Sequence, residues 1–369
     1  MKLKIKEILD CIQKIAPLSL QESYDNSGLI IGDEESEISK VLVCIDVTED
    51  IVNEAITTNC GLIISHHPII FKGLKKIVSK SFVERVVILA IQHNIAIASM
   101  HTNLDNSIQG VNFKIAQKLK LHSTKILQPV SGMLKKIVTF CPVDYVVEVR
   151  QAMAVAGAGD IGNYDSCSYN VKGIGTFRAN DLATPFVGQK NVLHEEPECR
   201  IEMITPVFNM QSVVKAMIQA HPYEEVAYDI YPLENSFQNV GAGIIGQLDV
   251  EVTENEFLSS VSSIFGTDWI RHSARINKNI KTVAVCGGSG AFLINTAKSV
   301  KADVFITADL KYHDFFEADG TILLVDAGHF ETEQFTKDLI VEIIQKKFPT
   351  FAVLKSEINT NAVCYFIKK

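Results

Sequence analysis

None of the eight cysteines of this 369-residue chain lies at CxxC spacing from another; they fall at positions 11, 44, 60, 141, 167, 199, 286 and 364. A zinc ribbon is thereby excluded, and no disulfide framework is suggested. Cys44 and Cys286 sit inside apolar, strand-like runs and read as reduced, buried thiols. An excess of basic residues is missing too. The formal net charge of −8 argues against a protein whose main work is gripping nucleic acid. The one basic stretch, KGLKKIVSK at 72–80, reads as a solvated loop. The longest apolar run, 86–100, is interrupted by Gln92, His93 and Asn94, which leaves no membrane span. No charged N-terminal region leads into a signal-like run, so a cytoplasmic protein is expected. With 47% hydrophobic and 21% charged residues, the chain can build two or more cores and does not resemble a disordered one.

What the chain does have is three short, widely separated stretches that place metal-ligand side chains where an apolar run stops. They are His66 and His67 in GLIISHHPIIF, His101 and Asp105 in IAIASMHTNLDN, and His329 and Glu333 in LLVDAGHFETEQF. The preceding segments, 62–64, 95–98 and 322–325, are short, apolar and rich in β-branched residues, as buried strands are. In open α/β sheets, ligands bind outside the carboxyl ends of parallel strands, where side chains leave the packed layers for a crevice. Pro68 keeps His67 away from helical backbone. His329 and Glu333 open a helical pattern over 330–346 and, four apart, share one face of it.

Any one of these clusters alone would more often be surface or satisfied core. Three at equivalent strand ends, built from His, Asp and Glu without Cys, point to a metal site with ligands enough for two cations. The ligand types suit Zn, Mn, Fe, Co or Ni and do not choose among them. A metal pair of this kind points to hydrolysis, with Glu333 as the carboxylate able to span both ions. His101 is left out of the ligand set, as a residue that holds Asp105 or acts as an acid/base. His313 in LKYHD is the other spare group for proton transfer; each is equally readable as a structural hydrogen-bonding residue.

Three further motifs stay open. Gly287, Gly288 and Gly290 in CGGSGAFLINTAKS either present a helix N-terminus to a phosphate or make a tight strand-to-helix turn. Asp25, Asn26 and Ser27 either reach the same cavity or form an Asx-type turn. His221, Glu224 and Glu225 of HPYEE form either a second metal or ligand site or a polar surface cluster.

Strand and helix alternate over 41–119 and again over 282–346, with 352–355 and 362–367 as closing strands; this is the rhythm of βαβ units. Between them, over 133–235, the order is close to β, α, β, β, α, β, with YDSCSYNVKGIGTFRAN as a hairpin-like pair. The expected fold is a discontinuous α/β/α sandwich formed by 1–131 and 236–369, with a ferredoxin-like α+β domain inserted at 132–235.

SHHPIIF at 65–71, HTNLDN at 101–106, TADLKYHD at 307–314 and GHFETE at 328–333 make the whole chain resemble the NIF-three-like family, whose members are commonly named GTP cyclohydrolase 1 type 2 homologs. HPYEEVAYDIYPLEN at 221–235 is similar to part of the CutA/PII-like insert of the longer bacterial members. The resemblance implies that His66, His67, Asp105, His329 and Glu333 hold two divalent cations and that the chains assemble as a toroidal homohexamer. It also implies a small-molecule substrate, with GTP ring opening as the named example. Tyr24 stands where many relatives carry Trp. The rival expectation is a metal-binding regulatory or scaffold protein whose insert senses a ligand or contacts a partner.

Overall fold

A computed structural model of the protein describes residues 1–366. The chain divides into two compact units, one made of Met1–Pro129 with the chain from Asn239 onward, the other of Val130–Gln238.

The first unit contains two mixed sheets. One has five strands in the order Ala352–Lys355, Lys40–Cys44, Leu62–Ser65, Ala96–Ser99 and Gly28–Ile31, the first four parallel and the last antiparallel. The other has six, in the order Arg271–His272, Leu323–Asp326, Val304–Ala308, Ile280–Ser289, Ser236–Val252 and His122–Ser131, with three parallel strands at its centre. Period-two alternation sorts the side chains. Val41, Val43, Leu62 and Ile64 join Val283, Val285, Val304 and Ile306 in one shared core. Helices Ile5–Gln13, Val111–Lys118, Glu254–Phe265 and Thr336–Lys347 contribute to that core. The alternate residues face outward on each sheet. Leu42, Cys44, Ile63 and Ile97 pack with helices Glu49–Thr58 and Phe82–Gln92, while Ala284, Cys286, Phe305 and Leu324 pack with Ile294–Ser299.

The second unit follows the order β, α, β, β, α, β: Leu134–Pro142, Val146–Val155, Tyr169–Phe177, His194–Pro206, Met210–Ala220 and Tyr228–Leu233. Its four strands pair antiparallel, with the last beside the first and the third between the first and second. Both helices bury Val149, Met153, Val213 and Met217 against Ile137, Ile201 and Met203 of the sheet.

Several expectations need correction. The strands of the first unit do not form one sheet: they divide among the five-stranded sheet, the six-stranded sheet and a two-stranded pair, Leu3–Lys4 with Glu37–Ile38. The hairpin-like pair at 164–180 is one continuous strand, Tyr169–Phe177. The helical pattern after Gly328 is broken into His329–Glu333 and Thr336–Lys347. Residues 362–366 form no strand, and Ile367 lies outside the described residues. No helix among the described residues is long and apolar enough to cross a membrane.

Candidate metal centre

The parallel strands of both sheets in the first unit deliver their carboxyl ends to one place. Ser65 ends a strand and His66 and His67 follow it; Ser99 ends the next, with Met100 and His101 beyond; Asp326 ends a third, just before His329. Asp105 closes the short helix Thr102–Asp105, and Glu333 lies one turn beyond His329.

Glu333 stands at the middle. Its Oε1 is 3.6 Å from His66 Nε2, which is itself 3.7 Å from Asp105 Oδ1. Its Oε2 is 3.0 Å from His67 Nε2 and 3.1 Å from His329 Nε2. The two oxygens of one carboxylate therefore face two different sets of ligands. The atoms of His67, His329 and Glu333 lie within 4.8 Å of one another, as do those of His66, His67 and His101.

Each ring is oriented from its far side. His66 Nδ1 donates to the Met100 carbonyl at 2.8 Å, His67 Nδ1 to Asp46 Oδ1 at 2.7 Å and His329 Nδ1 to Asp309 Oδ2 at 2.7 Å. A nitrogen that donates there leaves Nε2 of the neutral ring as a bare lone pair. Three such nitrogens and three carboxylate oxygens converge with no donor among them, and His67 Nε2 lies only 3.3 Å from His329 Nε2. His66 Nε2 and Glu333 Oε2 are buried and lack a well-aligned hydrogen-bond partner. Such an arrangement needs protons or a cation between its acceptors.

With protons alone, burial pushes His67 down, but hydrogen bonds to Asp46 and Glu333 outweigh it and hold the ring at about 10. Burial likewise opposes His329, which Glu333 and Asp309 raise to about 9. Burial pushes the nearby Cys286 thiol up.

His101 belongs to the same cluster. Its ring stands edge-on to His66 and His67 with centroids 5.3 Å away, and its Nδ1 donates to Asp25 Oδ1 at 2.8 Å. Of the stretch 25–27, Asp25 reaches the site through this bond, while Ser27 Oγ donates to Asp25 Oδ2 and Asn26 turns to the Ile70 carbonyl. His313 is not brought here: it is exposed on the 3₁₀ turn Tyr312–Ala318, beside Tyr312 and Phe316.

Asp46 and Asp309 escaped the sequence reading, although each ends an apolar run, VLVCID and VFITAD, as the ligands do. Of the glycines of CGGSG, Gly287 and Gly288 lie against Glu333, while Gly290 lies against Thr307 and Cys286. Gly287 N–H donates to Asn112 Oδ1 at 2.9 Å and Gly288 N–H to Thr332 Oγ1 at 3.0 Å, so neither is offered to a phosphate.

A cavity of about 850 Å³ opens over the cluster, with Tyr24, Phe71, Phe82 and Phe292 among its walls. The family pattern Duf34/NIF3 (NGG1p interacting factor 3) matches residues 3–362. The chain belongs to the Duf34/NIF3 family. It is 37% identical to the protein of Bacillus subtilis named GTP cyclohydrolase 1 type 2 homolog, over 96% of this chain and 97% of that one. A protein of the same name from Halalkalibacterium halodurans is also 37% identical, over 96% of each. The crystal structure of a Bacillus cereus protein related to NIF3 superposes with a TM-score of 0.86 at 36% identity, covering 99% of both chains. Membership of Duf34/NIF3 is what the four motifs led one to expect, and the matched span includes every residue of the cluster.

Proposed function

We propose that the protein is a metal-dependent hydrolase of a small molecule, a nucleotide or a related phosphate-containing compound. Two divalent cations would be held by His66, Asp105 and Glu333 on one side and by His67, His329 and Glu333 on the other, with Glu333 shared. The observation that carries this reading is the division of the Glu333 oxygens between two acceptor sets whose rings are already committed on their far sides. The donor set is imidazole and carboxylate throughout, which suits Zn, Mn, Fe, Co or Ni.

Bound cations would polarise a substrate oxygen or ring carbon and lower the pKa of a bound water towards about 7. The chain supplies the rest. Asp46, Asp309 and the Met100 carbonyl fix the histidine tautomers. His101, aimed into the cavity and oriented by Asp25, is the group placed to move a proton. His313 lines no part of this cavity and is not given that role. Phe71 and Phe292 offer flat apolar walls for a ring. The name carried by the relatives, GTP cyclohydrolase 1 type 2 homolog, fits a nucleotide as substrate. The second unit is read as a ferredoxin-like, CutA/PII-like insert, and a toroidal homohexamer as the assembly.

A metal-binding regulatory protein is the second reading, favoured by the separate cavity of the second unit. An exchangeable water on the bound cations supports the enzyme, and fully coordinated cations support the regulator. The founding claim is tested by elemental analysis of the full chain, purified without chelators and loaded with divalent cations. About two cations per chain are expected, falling sharply in Glu333→Ala. Near-zero metal in the loaded wild type, or no loss in the variant, sinks the reading.

A further inference from the structure

In the second unit, the strand His194–Pro206 turns Ile201 and Met203 towards the helices, with the buried Cys199 on the same face by alternation. Alternation sends Glu196, Glu198, Arg200 and Glu202 to the opposite face of the sheet. That face carries a cavity of about 640 Å³ whose lining includes Ala179, Ala183, Pro185 and Phe186. The volume lies within the range of small-molecule sites.

At its floor sits Glu198, only 9% exposed. Its Oε1 accepts from the Tyr223 hydroxyl at 2.8 Å. Its Oε2 lies over the bare α-carbon of Gly175, where any Cβ would collide with it. Of the neighbouring cations, Arg200 Nε donates to Glu202 at 2.8 Å, Lys136 pairs with Glu202 at 2.9 Å and His194 with Glu196 at 2.7 Å, while Lys172, which also lines the cavity, stands opposite Cys199 and so starts from the other face of the sheet. Among the described residues no ion pair is made to Glu198. A buried carboxylate with one hydroxyl partner is costly unless a cation joins it.

The walls suit such a cation. The Tyr223 ring stands 6.2 Å, centroid to centroid, from both Phe177 and Phe186. Aromatic faces attract ammonium and guanidinium-like groups, and Glu224 and Glu225 add negative charge to the lining. An anion would meet that charge, and among the described residues these carboxylates do not converge into a group that could hold a metal. Nor is His221 free to bind one, since Nε2 donates to the Phe140 carbonyl at 2.9 Å and Nδ1 accepts from Tyr223 N–H at 3.1 Å. This ring positions Tyr223 instead.

We infer that the second unit binds a small organic cation, an ammonium or amidinium on an apolar or aromatic body, with its charge on Glu198 and its body among Phe177, Phe186 and Tyr223. Its lining is drawn wholly from the second unit.

Benzamidine and its neutral isostere benzamide serve as probes, titrated into the metal-loaded full chain and followed by ligand-observed NMR. Benzamidine is expected to bind at least about tenfold more tightly. Glu198→Gln keeps an acceptor for Tyr223 and should abolish that preference while benzamide binding holds. Phe186→Ala, at a half-exposed ring, should weaken benzamidine binding several-fold. Equal affinity for the two probes in the wild type overturns the inference, as does benzamidine binding that survives undiminished in both variants.

Discussion

Gly288 lies against Glu333 so closely that a Cβ on the glycine would collide with Oε1 of the carboxylate. The glycine also adopts φ +61°, in the left-handed region that L side chains disfavour. Both facts make its bare backbone part of the seat of Glu333. Gly288→Ala is expected to cost about 1–2 kcal/mol from backbone conformation alone. It should also displace the shared carboxylate, so that metal content per chain falls although no ligand has changed. Elemental analysis beside a denaturation curve checks both. Full metal content in a folded variant would show that Glu333 is not held by this contact.

Asp46 and Asp309 hold the Nδ1 atoms of His67 and His329, each at 2.7 Å. Replacing either by Asn lets the amide offer an N–H instead of an acceptor, which favours the wrong ring tautomer. Asp46→Asn and Asp309→Asn should each weaken metal binding by about 10–100-fold, measured by competition with a chromogenic chelator. Asp46 also accepts from Thr360 Oγ1 at 2.8 Å, so Thr360→Val should show a weaker effect in the same direction.

Asp303 ties three positions together away from the metal centre. Its Oδ2 accepts from the backbone N–H groups of Thr282 at 2.8 Å and Lys281 at 3.0 Å, and its Oδ1 takes the Lys278 ammonium. Burial pushes its carboxyl up, but these hydrogen bonds prevail and hold it below the ordinary value of 3.8. A depressed folded value means that the stabilisation is present above the unfolded pKa and is lost as pH falls through the folded one. Wild-type unfolding free energy should therefore drop below about pH 4. Asp303→Asn should lose roughly 1–3 kcal/mol at pH 7 and show a shallower acid slope. Parallel acid slopes for the two proteins would remove Asp303 from the account.

The strand ends that carry the ligands are legible because a buried parallel strand is a continuous apolar run, and the first polar residues after it stand out. Which sheet each strand joins is not legible. VLVCI and VAVCG have the same signature, and only contacts across hundreds of residues separate them into two sheets. Asp46 and Asp309 look like ordinary loop openers until the histidine rings are placed beside them. Gly173 and Gly175 resemble a turn, since paired glycines usually mark one. Both lie within a strand paired to His194–Pro206, and position 175 must be bare because Glu198 from that neighbour occupies the space a Cβ would need.

His101 and Asp25 decide whether the cavity over the metal centre has its own proton carrier. The Asp25 side chain is fully buried and accepts from His101 Nδ1 at 2.8 Å and from Thr102 N–H at 3.0 Å. Burial pushes its carboxyl up, but the bonds from His101 and Thr102 overcome that and hold it well below the usual carboxylate range. An acceptor locked in that state leaves His101 with Nδ1 as donor and Nε2 directed away from Asp25. If His101 moves protons, His101→Gln keeps its metal and loses turnover of a nucleotide or phosphoester by about 10²–10⁴-fold. Asp25→Asn should then lose part of the same activity and change its pH profile, because the ring is no longer held in one tautomer. If His101 is instead a ligand, His101→Gln loses metal and activity together. Metal content and turnover measured on the same preparation separate the two roles.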